Sequence, residues 1–337
     1  MMPPAHRLRL VTAPHLHGGG TVAQWMLHSV IALLPVTLFS VALFGLAAVA
    51  TIAVAILACL LTERACAPRS ALSDGSAMFT GLLLGLSLPP ALPLWMVALG
   101  GIIAIGVGKH LFGGLGAPVF HPALIGRVFL QAAFPVAMAQ AWLSPLAAGR
   151  VTGLPATSLA LPLMSPAAPY EALTGATPLT AFKAGEADAP VADLWLGMVA
   201  GSVGETSAVL LLLGGLYLAI RRMIDWRVPA ALLGSVAVLS AVLHGLDPDR
   251  HPAALTALAS GGLMLGAWFF ATDPGISPTT RRGAWVYGLA IGALVVVIRQ
   301  FSGQIEGVVY ALLLGSALTP HIDRWTRPRP LPEGDER

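Results

Sequence analysis

Long apolar runs dominate the chain, and polar residues gather in the gaps between them. A helix that crosses a bilayer needs roughly 20 mostly apolar residues. Ten segments approach that requirement, at about 22–42, 43–62, 75–89, 93–111, 121–140, 194–219, 228–245, 253–271, 284–300 and 305–321. The first two form one run too long for a single crossing, and Gly45 is the predicted corner. The third is short, opening from Asp74-Gly75-Ser76 and closing at Leu88-Pro89-Pro90. Few strands of alternating pattern are visible. The predicted class is an all-α integral membrane protein, because a backbone inside lipid must satisfy its own hydrogen bonds.

One long polar segment, 141–193, rich in Pro, Ala, Thr and Ser, divides the chain. It separates a five-helix half at 1–140 from a second five-helix half at 194–337. With the N-terminus inside, the inner segments hold Arg7, Arg9, Arg64, Arg69, Lys109, Arg221, Arg222, Arg227, Arg281, Arg282, Arg324, Arg327, Arg329 and Arg337. The outer segments hold only Arg150, Lys183, Arg250 and Arg299, an asymmetry that matches the positive-inside rule. Both termini are therefore expected on the cytoplasmic side and the 141–193 loop on the outer face.

The halves resemble one another weakly. Gly100 to Gly114 aligns with Gly288 to Gly303, and Ser76 to Gly85 aligns with Ser260 to Gly266. Two halves of five spans each imply an inverted repeat with interrupted helices. That arrangement places a site near the midplane, and 75–89 and 253–271 are where it is expected.

Composition supports this reading. Of 337 residues, 56% are apolar and 10% charged, against about 25% in soluble proteins. Mean hydropathy is +0.79. The net charge of +3 is spread singly or in pairs at the ends of apolar runs, so no nucleic-acid surface is expected. The first twenty residues lack an apolar core and read as a polar arm rather than a cleavable signal. Cys59 and Cys66 are too few for a disulfide framework or an iron–sulfur site, though at seven residues apart they share a helix face. His15, His17 and His28 are expected in surface or loop roles. Trp25, Trp95, Trp142, Trp195, Trp226 and Trp285 fall near span ends, as an aromatic belt does.

The outer loop carries Glu171-Ala172-Leu173-Thr174-Gly175-Ala176-Thr177-Pro178-Leu179. One reading is a helix start, with Thr177 as N-cap, Pro178 at the first helical position and a short helix to Lys183. Another is covalent flavin attachment, in which the Thr177 hydroxyl carries FMN through a phosphoester while Gly175 and Ala176 leave space for a transferase. Both can hold together. Three further polar residues call for weighing. Glu205 and Asp273 lie near span ends, where an ion path competes with capping and turn roles. Arg127 lies within a span, where pairing with an acid or holding a flavin phosphate competes with snorkelling.

Thr174-Gly175-Ala176-Thr177-Pro178-Leu179 resembles the flavinylation motif of the D-type subunit of the Rnf ion-translocating oxidoreductase, and of the related B-type subunit of the sodium-pumping NADH:quinone reductase. Glu171 stands where the motif usually has Asp. Asp74-Gly75-Ser76 with Thr80-Gly81, Lys109 to Gly116, Phe120-His121-Pro122-Ala123, Gly204-Glu205-Thr206-Ser207 and Ala271-Thr272-Asp273-Pro274 are similar to other family segments; Pro118 and His121 replace two family asparagines. The resemblance implies a multi-pass subunit of the cell inner membrane, with its long loop in the periplasm. It implies FMN on Thr177, with Thr174, Gly175 and Ala176 around it, and a noncovalent riboflavin between spans. The implied partners are Rnf subunits A, B, C, E and G, a periplasmic flavin transferase and the lipid bilayer. The implied activity is electron transfer between ferredoxin and NAD coupled to ion movement, by the complex and not by this subunit alone. The rival reading is a secondary transporter or channel without a redox centre, and a third is a passive scaffold.

Overall fold

The computed structural model describes residues 21–67, 69–147, 150–162, 177–183, 190–205, 207–248, 250–302 and 307–327. Among them there is no β-strand, and the body is built of helices around a large apolar core, with a small second cluster at Cys59, Ala77 and Ile105.

The helix α1 (Val22–Phe44) opens with a capping box: Thr21 Oγ1 accepts from the Gln24 N–H and Gln24 Oε1 accepts from the Thr21 N–H. It ends at Gly45, whose φ of +62° turns the chain into α2 (Leu46–Cys66). Gly45 is thus the corner the sequence predicts. Gly75, at φ +76°, opens α3 (Ser76–Ser87), which lies against α2. The contact is made close by glycine: a Cβ on Gly81 would stand 2.6 Å from Ile56 Cα, and one on Gly85 2.9 Å from Ile52 Cα. Next come α4 (Leu94–Ile105), continued by a π-helical turn over Gly106–His110, α5 (Pro122–Ala133) and α6 (Pro135–Gln140).

Short helices α7 (Pro178–Lys183) and α8 (Val191–Leu196) lie at the end of the outer segment. The second half contains α9 (Ala208–Ile220), α10 (Arg227–Leu246), α11 (Ala254–Ala259), α12 (Leu263–Leu265) with a π-helical turn over Gly266–Phe270, α13 (Arg281–Phe301) and α14 (Gly307–Thr326). In the first half α2 packs on α3 and α4, and α4 on α5; in the second α10 packs on α13, and α13 on α14. Gly75 and Gly262, both left-handed, open α3 and α12.

Four helices, α1, α2, α10 and α13, are long and apolar enough to cross a membrane, while α3, α4 with its π turn, α5 and α9 are shorter apolar helices. Leu38, Leu57, Leu61 and Val238 are all more than half exposed, as lipid-facing residues are. The exposed Trp226 and Trp285 meet edge to face at 6.0 Å.

Three predicted spans differ in kind from a continuous helix. The span 121–140 breaks at Phe134, where Pro135 removes a donor and starts α6. The span 194–219 is α8, an irregular stretch and α9, because Gly197 at φ +92° ends α8. The span 253–271 breaks at Gly261 and Gly262, both at φ +60°.

Protein groups satisfy the backbone freed at these breaks. The Val203 N–H donates to Leu88 O at 3.1 Å and the Gly204 N–H to Leu86 O at 2.6 Å, closing the end of α3. Arg299, on α13, donates to the carbonyls of Ala257 (2.9 Å), Ser260 (2.7 Å) and Gly261 (2.8 Å), closing the end of α11.

Candidate functional site: a pocket at Thr177, a buried ion pair and a cavity at the start of α3

Thr177 stands at the start of α7. Its Oγ1 accepts from the Thr180 N–H at 3.3 Å and lies 3.0 Å from Thr180 Oγ1, and its carbonyl accepts from the Ala181 N–H at 2.9 Å. This is the N-cap arrangement expected from the sequence, with Pro178 at the first helical position. Thr174, Gly175 and Ala176 lie outside the described residues. Thr177 lines a pocket with Leu179, Leu194, Gly201, Glu205 and Gly261. Two cations approach this face. Arg299 Nη2 comes within 3.0 Å of where a Cβ on Gly261 would sit, and Lys183 Nζ donates to Ser302 O at 3.3 Å. Partial burial, and then the charge of Arg299, push the Lys183 ammonium below its ordinary pKa.

Glu205 reaches inward from the same pocket. Its Oε2 accepts from the Ser202 N–H at 3.3 Å, and its Oε1 stands 3.8 Å from Arg127 Nη2, with side-chain exposures of 9% and 5%. Arg127 therefore pairs with an acid and does not snorkel. Ser207, not Glu205, caps α9 by accepting from the Leu210 N–H at 3.3 Å. The pair joins α5 of the first half to the 197–207 segment of the second. Gly262 is held free of a side chain here, since a Cβ would lie 2.6 Å from Glu205 Oε1.

At the opposite end of α3 a cavity of about 350 Å³ opens, lined among others by Trp25, Phe79, Thr80, Lys109, His121 and Asp273. Trp25 and Phe79 meet edge to face at 5.7 Å. His121 caps α5, its Nδ1 accepting from the Ala123 N–H at 3.2 Å, which leaves Nε2 to face Asp273 Oδ2 at 3.4 Å. Asp273 makes the turn expected of it, Oδ1 accepting from the Gly275 N–H at 2.9 Å. On the same wall Lys109 Nζ donates to Glu63 Oε1 and to Ser76 Oγ, both at 2.7 Å, and His110 Nε2 lies 3.1 Å from Glu63 Oε2.

Glu63 is not among the residues that the sequence singles out. The signal for it is a single acid in an otherwise apolar run, which needs a partner if it stays buried. His28 is also corrected: it lies within α1, where its Nδ1 bonds Tyr217 Oη of α9 at 2.6 Å. Cys59 is buried and Cys66 exposed, so the shared face is only partly covered. Among the described residues no group of three or more His, Cys, Asp or Glu side chains could hold a metal.

Short and interrupted helices, glycine-mediated close packing and a buried ion pair define a multi-pass helical membrane protein. The NQR2, RnfD, RnfE family matches over residues 9–331, and the chain belongs to that family. It is 41% identical over 326 residues to the D subunit of the ion-translocating oxidoreductase complex of Stutzerimonas stutzeri, covering 92% of each chain. It is 38% identical to the D subunit of the proton-translocating ferredoxin:NAD(+) oxidoreductase complex of Clostridium ljungdahlii, covering 94% of each. It is 36% identical to the D subunit of the Na(+)-translocating ferredoxin:NAD(+) oxidoreductase complex of Acetobacterium woodii, covering 96% of this chain and 94% of the relative.

Proposed function

We propose that this chain is the D-type membrane subunit of an ion-translocating oxidoreductase complex of the ferredoxin:NAD kind, inactive alone. The observation that carries this reading is likeness to relatives of that name over nearly the whole chain. The subunit sits in the cell inner membrane with cytoplasmic termini. It forms two five-span halves in inverted repeat, 1–140 and 194–337, joined through the periplasmic segment 141–193. The repeat is supported by the paired glycine starts of α3 and α12, each met by a buried cation: Lys109 reaches Ser76 at the start of α3, and Arg299 the residues just before α12. The other Rnf subunits, A, B, C, E and G, bind it in the membrane or at its faces.

Thr177 carries FMN as a phosphoester added by a periplasmic flavin transferase. The residues present suit a phosphate: a threonine hydroxyl at a helix start, the Thr180 N–H beside it, and Lys183 at the end of the same short helix. Thr174, Gly175 and Ala176 are the approach for the transferase. The bound flavin would supply electron relay, while the protein fixes its position and shields its phosphate charge. A noncovalent riboflavin belongs in the inner cavity, where Trp25 and Phe79 offer aromatic faces and Lys109, Thr80, His121 and Asp273 offer polar contacts.

Co-expression with a flavin transferase, followed by a denaturing gel under ultraviolet light, tests the attachment. A fluorescent band is expected for the wild type and none for Thr177→Ala, with the added mass on the peptide containing Thr177. A band that persists in Thr177→Ala would move the attachment elsewhere. No band in the wild type, with the transferase shown active on another substrate, would favour the transporter reading.

A further inference from the structure

Glu63 is fully buried yet bonds to two bases at once. Its Oε1 meets Lys109 Nζ at 2.7 Å and its Oε2 meets His110 Nε2 at 3.1 Å. The exposures grade along the string: 21% for the His110 side chain, 0% for Glu63 and 4% for Lys109. His110 is the last residue of the π-helical turn, next to the glycine-rich, largely exposed 111–119 segment, whereas Lys109 is on the cavity wall with Ser76. A π-helical turn presents successive residues differently from an α-helix, and here it lets two neighbours grip opposite oxygens of one carboxylate. A purely structural ion pair would need only Lys109. The second base, His110, reaching towards solvent is what a structural pair leaves unexplained.

We propose that His110, Glu63 and Lys109 form a proton relay from the aqueous face into the inner cavity. In the resting state Glu63 is ionised, Lys109 is an ammonium and His110 is neutral. Lys109 gives a proton to an acceptor nitrogen or oxygen of the cavity's occupant. His110 takes one from water at Nδ1 and passes the Nε2 proton to Glu63 Oε2. The carboxyl then turns and hands it to Lys109 Nζ, and a flip of the partly exposed His110 ring brings its N–H back to Glu63, restoring all three groups. The net change is one proton moved from water to the occupant, with no electron transferred. The other titratable groups facing this string are Cys59 on α2, Asp74, which accepts from Ser76 Oγ at 2.6 Å, and, across the cavity, His121 and Asp273. Asp74 is partly exposed and reaches Lys109 through Ser76 Oγ, but none of these groups bonds Glu63 in place of His110.

The inference rests on the reading that the complex is a ferredoxin:NAD oxidoreductase whose D-type subunit holds a redox group in this cavity. The test uses inside-out membrane vesicles carrying the whole complex, with flavin content and ferredoxin-driven NAD(+) reduction measured across pH. His110→Ala is expected to keep its flavin, to slow turnover about tenfold or more above neutral pH, and to recover with added imidazole. Glu63→Gln is expected to be slow and to resist imidazole, because the break lies beyond the solvent end. His110→Ala with wild-type rate and pH profile, or a loss that imidazole does not restore, overturns the relay while leaving the wider function standing. Wild-type vesicles that contain the assembled complex and show no such activity overturn both.

Discussion

Arg127→Ala is expected to destabilise the detergent-solubilised protein by about 3–5 kcal/mol, lowering its thermal midpoint by several degrees. The substitution removes the countercharge from Glu205, whose side chain is 9% exposed and 3.8 Å from the guanidinium. A carboxylate in such surroundings is costly without its cation, even though the intact pair adds little over an apolar replacement. The two residues come from different halves, so the loss falls on the joint between them. Glu205→Ala is expected to cost a similar amount, and the double variant Arg127→Ala/Glu205→Ala less than the sum of the two. Additive losses in that cycle, or a change below about 1 kcal/mol for Arg127→Ala, would mean that the pair is not coupled.

The second large effect is expected at Gly288 on α13. A Cβ there would lie 2.6 Å from Ala231 Cβ and 2.6 Å from Val228 O, both on α10, so the obstacle is partly backbone and cannot rotate away. Gly288→Val forces apart the two long helices that anchor the second half. Overpacking of a close contact costs about 1–3 kcal/mol or more, and a backbone clash belongs at the upper end. The expected observation is a sharp loss of monodisperse protein on size exclusion. Gly234, on α10, supplies the control: nothing lies within 4 Å of the place a Cβ would take, so Gly234→Ala should be neutral or stabilising by up to about 1 kcal/mol. Equal behaviour of the two variants would contradict glycine-mediated packing.

Helices whose apolar composition and length agree were legible in the sequence. The predicted 22–42, 228–245 and 284–300 correspond to Val22–Phe44, Arg227–Leu246 and Arg281–Phe301. Gly45 and the Thr177-Pro178 start were legible too, because each depends on local chemistry: one residue free to take positive φ, one hydroxyl able to cap. An interruption within 253–271 was expected from the repeat, but the positions of the breaks at Phe134, after Gly197 and at Gly261-Gly262 were not, since apolar residues lie on both sides of each. What holds them open is tertiary, such as Arg299 donating to carbonyls about forty positions earlier in the chain. The ion pairs were half legible. Arg127 drew notice as a cation within a span, but its partner lies far along the sequence and only folding brings the two together. Glu63 escaped because one acid near the end of an apolar run looks like a boundary residue until Lys109 and His110 are seen on either side of it.

The turn between α1 and α2 is finished by a distant residue: the Leu46 N–H donates to Arg150 O at 2.9 Å, and that same carbonyl fills the space where a side chain on Gly45 would go. During synthesis this hairpin leaves the ribosome roughly a hundred residues before its final hydrogen-bond acceptor exists. Its tip must therefore wait, hydrated, while the next segments insert, and only the arriving carbonyl seals it. The first turn of the chain is thus completed by a residue made only after the whole first set of helices.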